Sequence, residues 1–148
     1  MREQTAPQVY DGLLAKGEYK ETDKNLDLIR KIIRKSSQRK KYIDFLLQQK
    51  IIDWEVIYTL YYDVLRALGE ALLIFDGVKI SNHQGCFAYL CVKFPELELD
   101  WNFFEKIRST RNRNKYEAGE ISPKDWKEIE IQVKLYISTI EKELEGRL

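Results

Sequence analysis

Apolar residues recur three and four positions apart along most of the chain, the spacing that gathers side chains on one face of an α-helix. A stretch capped by Asp53 has two such rows side by side and is therefore predicted to be the most buried helix. Those rows are Ile57, Tyr61, Val64, Leu68, Ala71 and Phe75, and Tyr58, Leu65 and Leu72. The most regular single row follows Ser122-Pro123, a pair typical of a cap and a first-turn proline. It consists of Trp126, Ile129, Val133, Tyr136 or Ile137, Ile140 and Leu144.

The same spacing predicts three further helices. The first opens from Asp23 with the pattern Leu26, Ile29 and Ile33 and continues to Leu46. The others cover Ser81 or Asn82 to about Phe94, where Pro95 stops the helix, and Leu99 or Asp100 to Gly119. Residues 1–22 are predicted to form an N-terminal arm or a short helix. We therefore expect one domain over residues 1–148, an all-α, antiparallel, up-and-down four-helix bundle with one extra short helix.

Charge excludes one class of function and leaves others open. Lysine and arginine (25) nearly balance aspartate and glutamate (24), which argues against a protein that coats nucleic acid by bulk charge. For the basic side of the helix that begins at Leu26, a solvated face is favoured over a nucleic-acid contact. That side carries Arg30, Lys31, Arg34, Lys35, Arg39, Lys40 and Lys41. No apolar run is as long as a membrane span and the N-terminus lacks a signal sequence, so we expect a cytoplasmic protein without membrane contact.

Few residues offer familiar catalytic chemistry. His83 is the only histidine, which excludes a His-rich metal site within one chain, and Cys86 and Cys91 match neither a zinc nor a redox spacing. We therefore expect no metal and no cofactor. The glycines form no phosphate-binding loop. A single histidine after a loop is more often a cap, a surface residue or a packing residue than a catalytic base.

One helix face changes from apolar to polar near its end. The row Trp101, Phe104 and Ile107 continues into Arg111 and Asn114. A half-buried arginine requires a partner or a water-filled cleft, so this face is predicted to line a groove.

A neighbouring row places further polar residues beside the same groove. Arg111, Asn112 and Tyr116 are the predicted catalytic residues, and Arg108 and Lys115 are the predicted substrate contacts. Arginine matches phosphate oxygens with a planar fork, asparagine orients, and tyrosine stacks on a base or donates a hydrogen bond. The alternative is that the basic members are solvated cations near a helix end. The residues alone leave both interpretations open.

The segment Arg111-Asn112-Arg113-Asn114-Lys115-Tyr116-Glu117 resembles the signature of the HEPN family (higher eukaryotes and prokaryotes nucleotide-binding), in which an Arg precedes a His by four to six positions. The run from Asp53 to Lys79 resembles the long second helix of that family, with its terminal Gly and lysine-bearing turn. Ser81-Asn82-His83 is similar to the turn that opens the next helix in prokaryotic members. The likeness covers roughly residues 10–145.

The resemblance implies a homodimer in which two Arg-containing helices form a shared cleft. Active members cut RNA there without a metal, by attack of the ribose 2′-hydroxyl, and many prokaryotic members pair with a small nucleotidyltransferase as a toxin–antitoxin couple. Tyr116 stands where the family His is expected. A phenol with a pKa of about 10 is a poor general base at neutral pH, so reduced or absent activity is expected unless His83 enters the cleft. Because His83 begins its own helix, we do not expect it to converge with Arg111.

These observations predict a HEPN-like protein that binds RNA or a nucleotide in a dimer cleft, either as a metal-independent endoribonuclease or as the toxin-like partner of a small nucleotidyltransferase. The alternative is a catalytically inactive helical module that docks a partner protein. Tyr58, Tyr61 and Tyr62 lie together on the central helix, and we expect part of this row to face a second copy.

Overall fold

The computed structural model describes residues 3–117 and 120–148, and for residues 114–117 it describes the backbone only. Within these residues lie six α-helices and two short strands. In chain order they are α1 (Ala6–Ala15), β1 (Lys20–Glu21), α2 (Leu26–Leu47), α3 (Trp54–Phe75), β2 (Val78–Lys79), α4 (His83–Lys93), α5 (Trp101–Glu117) and α6 (Pro123–Arg147). The prediction of an all-α fold is confirmed, and the N-terminal segment contains a helix.

The helices begin where side-chain acceptors are available for their free N–H groups. Asp53 accepts from the backbone N–H groups of Glu55 and Val56 at 3.1 and 3.2 Å. Asn82, rather than Ser81, caps α4, with its Oδ1 2.8 Å from the amide nitrogen of Gly85.

The two strands are a feature that the sequence did not predict. β1 and β2 pair antiparallel, with Lys20 opposite Lys79 and Glu21 opposite Val78. Strands of two residues are too short to show an alternating pattern, so periodicity does not reveal them. Gly77 adopts a φ of +71° before β2, and its carbonyl accepts from the amide of Thr22 at 2.9 Å. The pair therefore ties the segment after α1 to the end of α3.

Helix α3 is the central element, in contact with α2, α4, α5 and α6. Both of its apolar rows are buried, as predicted. The tyrosine row is part of this core: Tyr58, Tyr61 and Tyr62 are each 3% exposed or less. The expectation that part of this row faces a second copy is therefore wrong. The ring of Tyr61, for example, stacks on Trp126 of α6 with centroids 4.7 Å apart.

Helix α2 lies at the surface and buries only a narrow row, Ile29, Ser36 and Ile43. Most of its basic side chains are consequently exposed to solvent. The described helices include none that is both long enough and apolar enough to cross a membrane.

Candidate functional site: an arginine-rich pocket

The packing of α4 on α5 decides which polar side chains meet. The rings of Phe87 on α4 and Phe104 on α5 are both fully buried and lie parallel, with centroids 4.4 Å apart. This contact brings the first turn of α4 beside the polar half of α5 and beside α3. The three helices enclose a surface pocket of about 570 Å³, here called the arginine pocket, lined by Asp63, Arg66, Asn82, His83, Gln84, Arg108, Arg111 and Asn112.

Arg111, the arginine at which the apolar row is interrupted, lies in this pocket. Its guanidinium carbon is 5.1 Å from the centroid of the buried Tyr62 ring, so the cation lies over an aromatic face. The side chain is half-buried, and among the described side chains no carboxylate lies within 4 Å of it. Held over the Tyr62 ring and without an ion-pair partner among the described side chains, Arg111 presents its positive charge to the pocket.

The other two arginines of the pocket are held by carboxylates. Arg108 makes a bidentate pair with Glu105, with two N–O distances of 3.1 Å, and this hydrogen bonding raises the pKa of Arg108. Arg66 donates from Nη1 to Glu70 at 2.7 Å. Arg108 is therefore not a freely solvated helix-end cation, the alternative left open by the sequence. The buried Nε of Arg66 has no hydrogen-bond partner among the described residues, which leaves one donor available.

His83 also lines the arginine pocket, and the expectation that it does not converge with Arg111 is wrong. Its Nδ1 lies 3.2 Å from the hydroxyl of Tyr62, the same ring that carries Arg111 on its face. The first turn of α4 lies beside α3 and α5 because α4 packs on both helices, and the Phe87–Phe104 contact links residues distant in sequence. Sequence reasoning also missed Asp63 and Arg66, which lie on the polar edge of an otherwise buried helix.

The protonation of this pair follows from its surroundings. Burial raises the pKa of Tyr62 to about 12, so its hydroxyl keeps its proton at neutral pH. Burial, followed by the positive charges of Arg66 and Arg111, lowers the pKa of His83. A neutral His83 that accepts from Tyr62 at Nδ1 carries its proton on Nε2. We assign this tautomer because it satisfies both the hydroxyl proton and the ring nitrogen. The pocket then has an imidazole N–H donor beside a guanidinium.

The pKa of His83 can be measured directly because the chain has one histidine. We expect its Cε1–H NMR signal to titrate with a midpoint below pH 6.5, the pKa of an unperturbed histidine. The unfolded chain then binds the proton more readily than the folded one. The contribution of His83 to the free energy of unfolding is consequently present in full above pH 6.5. It decreases as the pH falls from there through the pKa of His83 in the folded protein. A titration midpoint above 6.5 would contradict this environment.

Of the remaining predicted site residues, the structure describes the side chain of Asn112 only. Asn112 lines the arginine pocket next to Arg111. The side chains of Lys115 and Tyr116 lie outside the described residues. The structure therefore brings together Arg108, Arg111 and Asn112 and adds His83 to them.

Groups of at least three His, Cys, Asp or Glu side chains suited to a metal ion do not occur among the described residues. Cys86 is buried and Cys91 half-buried, and both are free thiols. The polar groups that line this pocket are three guanidinium groups, one imidazole, three amides and the carboxylate of Asp63, and the excess of cationic groups suits an anion. No family model matches the chain, and no curated protein or solved structure gives a significant match.

Proposed function

We propose that the chain is a HEPN-type protein that binds RNA or a nucleotide through a phosphate in the arginine pocket. The observation that carries this proposal is the presence in one pocket of the imidazole of His83 and of Arg111, which has no carboxylate partner in the part of the chain that the structure describes. In this proposal α2, α3, α5 and α6 are the four long helices of the bundle. The phosphate lies against Arg111, Asn112 orients it, and Nε2 of His83 donates to it.

The same groups support cleavage of RNA without a metal. The ribose 2′-oxygen attacks phosphorus, so that a P–O2′ bond forms and the P–O5′ bond breaks, leaving a 2′,3′-cyclic phosphate. The 2′-hydroxyl proton passes to water, and the proton on Nε2 of His83 passes to the departing 5′-oxygen. Arg111 stabilises the charge that develops on the phosphate oxygens. His83 acts as the acid in its imidazolium form, which the bound phosphate favours. In that form Nδ1 donates to the Tyr62 hydroxyl, Nε2 transfers its proton, and a neutral imidazole remains.

The homodimer and the small nucleotidyltransferase partner belong to this proposal as well. Since the tyrosines of α3 are buried within the chain, a dimer contact would have to lie elsewhere. The arginine pocket is open at the surface on α4 and α5, which is compatible with a second copy beside it. Light scattering that gives the mass of a monomer at micromolar concentration would remove the dimer from the proposal.

Substitution of Arg111 tests the binding site. We expect Arg111→Ala to weaken binding of a uridine oligonucleotide by about 10- to 100-fold, because a hydrogen bond to a charged group contributes roughly 1.5–3 kcal/mol. Fluorescence anisotropy in a chelating buffer measures the affinity, and gel electrophoresis of the same samples measures cleavage. Arg113→Ala is the matched control, since Arg113 lies on the same helix, is exposed and does not line the pocket.

Equal affinities of the two alanine variants would overturn the proposal and favour the rival function, a module that docks a partner protein. One observation favours that rival. Ile131 and Leu135, one turn apart on α6, are 83% and 59% exposed, which is unusual for neighbouring large apolar residues. A folded protein that neither binds nor cleaves RNA would therefore support the exposed apolar face of α6 as a docking surface.

A further inference from the structure

A second pocket opens beside the arginine pocket and shares two of its residues. It has a volume of about 260 Å³ and is lined by Ile32, Lys35, Ser36, Arg39, Asp63, Val64, Arg66 and Ala67. Asp63 and Arg66 line both pockets, so the two are contiguous across α3. Lys35 and Arg39 come from α2, which contributes nothing to the arginine pocket. A ligand longer than one nucleotide can therefore pass from α5 across α3 to α2.

The basic residues of α2 divide into paired and unpaired groups. Arg30 pairs with Asp27, and Lys40 pairs closely with Glu141 at 2.7 Å. In contrast, the described residues provide no carboxylate within 4 Å of Lys31, Arg34, Lys35, Arg39 or Lys41. Of these, Lys31, Lys35 and Arg39 recur at spacing four and so form one row along the helix. A row of like charges without partners is unfavourable by itself, and a polyanion would compensate it.

The row ends at an exposed aromatic pair. Tyr42 follows Arg39 by three positions and stacks on Phe45, with ring centroids 6.4 Å apart and planes inclined by 21°. Tyr42 is 50% exposed and Phe45 is 57% exposed, although most large aromatic residues of this chain are buried. Cations beside exposed aromatic rings are the combination with which proteins bind single strands, because the bases stack on the rings and the backbone follows the charges.

We propose that single-stranded RNA runs from the arginine pocket past Arg66, along Lys35 and Arg39, to the stacked rings of Tyr42 and Phe45. This inference rests on the proposed function, which requires the 2′-hydroxyl of RNA at the arginine pocket. The distance from Lys35 to Tyr42 along α2 is about 10 Å, which together with the two pockets accommodates several nucleotides. The carboxylate of Asp63 lies beside this path and repels the phosphates. Arg66 lines both pockets and is the cation that connects them. A base paired in a duplex is not free to stack on Tyr42.

The test compares a long ligand with a short one. The long probe is a fluorescent 2′-O-methyl uridine 12-mer, which lacks the attacking hydroxyl and remains intact, and its affinity is measured by anisotropy. The short probe is uridine 5′-monophosphate, whose binding is followed by the NMR signal of His83. We expect Lys35→Ala/Arg39→Ala to weaken 12-mer binding by about tenfold and to leave monophosphate binding unchanged. A plot of log affinity against log salt concentration should become less steep by roughly 1.4, since two phosphate contacts are lost and each contributes about 0.7 to the slope.

The control removes the same charge from another side of the same helix. Arg34→Ala/Lys41→Ala replaces two exposed cations that do not line the second pocket, and we expect it to change 12-mer binding less than twofold. Tyr42→Ala should weaken 12-mer binding by about tenfold, because stacking contributes about 1–3 kcal/mol per base. Equal effects of the two double variants, or equal affinity for a duplex of the 12-mer, would overturn the path along α2.

The failure of this path is distinguishable from the failure of the proposed function. If Arg111→Ala abolishes monophosphate binding while the two double variants behave alike, the arginine pocket stands and the path is wrong. If Arg111→Ala leaves monophosphate binding intact, the proposed function fails, and the path that rests on it fails too.

Discussion

His83→Ala is expected to lower the rate of RNA cleavage by about 10²- to 10⁴-fold, the usual contribution of a positioned general acid. Affinity should change by less than about tenfold, because one hydrogen bond from a neutral donor is lost while Arg111 remains. The rate is measured in single turnover with an unmodified uridine oligonucleotide in chelator. For the unsubstituted protein we expect faster cleavage at pH 6 than at pH 8, since the acid role requires the protonated imidazole and the pKa of His83 is lowered.

Tyr62→Phe provides the matched control for His83. It keeps the ring that supports Arg111 and removes the hydroxyl that holds Nδ1. An intermediate loss of rate with unchanged affinity would show that Tyr62 positions the imidazole. Cleavage by His83→Ala at the original rate would rule out the acid role, and faster cleavage at pH 8 than at pH 6 would assign a base role to this residue instead.

Phe104→Ala is expected to lower the free energy of unfolding by about 3–5 kcal/mol, because it leaves a cavity at a fully buried ring. The cavity would lie between α4 and α5, where Phe104 stacks on Phe87. Urea denaturation followed by circular dichroism measures this change. Since the same contact brings His83 to Arg111, the variant should also lose RNA cleavage at temperatures where it remains folded.

The chain offers the same substitution at an exposed site. Phe45→Ala removes a ring that is 57% exposed, and its unfolding free energy should change by about 0.5 kcal/mol or less. If both phenylalanine variants unfold at the same urea concentration, the contact between α4 and α5 contributes little to stability. The Phe87–Phe104 contact would then not be what holds the arginine pocket together.

The helices could be predicted because the signals that set them are local. A cap residue such as Asp53 or Asn82 acts on N–H groups within three positions, and an apolar row needs only its own periodicity. The interruption of such a row at Arg111 was also visible locally, and Arg111 does line a pocket. The paired strands were missed because their partners come from distant segments.

The position of His83 could not be predicted, because it depends on how two helices pack rather than on where they begin. Nothing within a few residues of His83 indicates that its neighbour is Tyr62 of α3. The misinterpretation of the tyrosine row has a related cause. A hydroxyl suggests contact with water or with another protein, but the Tyr62 hydroxyl finds its partner in His83 inside the same chain.

The N-terminal segment braces the helix that presents the imidazole. Tyr19 donates from its hydroxyl to the carbonyl of Gly85 at 2.7 Å, and Leu13 lies so close to Gly85 that an added methyl group there would meet it at 2.8 Å. Both contacts fall within the first turn of α4. Proteolytic removal of the first 22 residues would spare every side chain of the arginine pocket, yet it would remove two contacts that support the first turn of α4, the turn that carries His83.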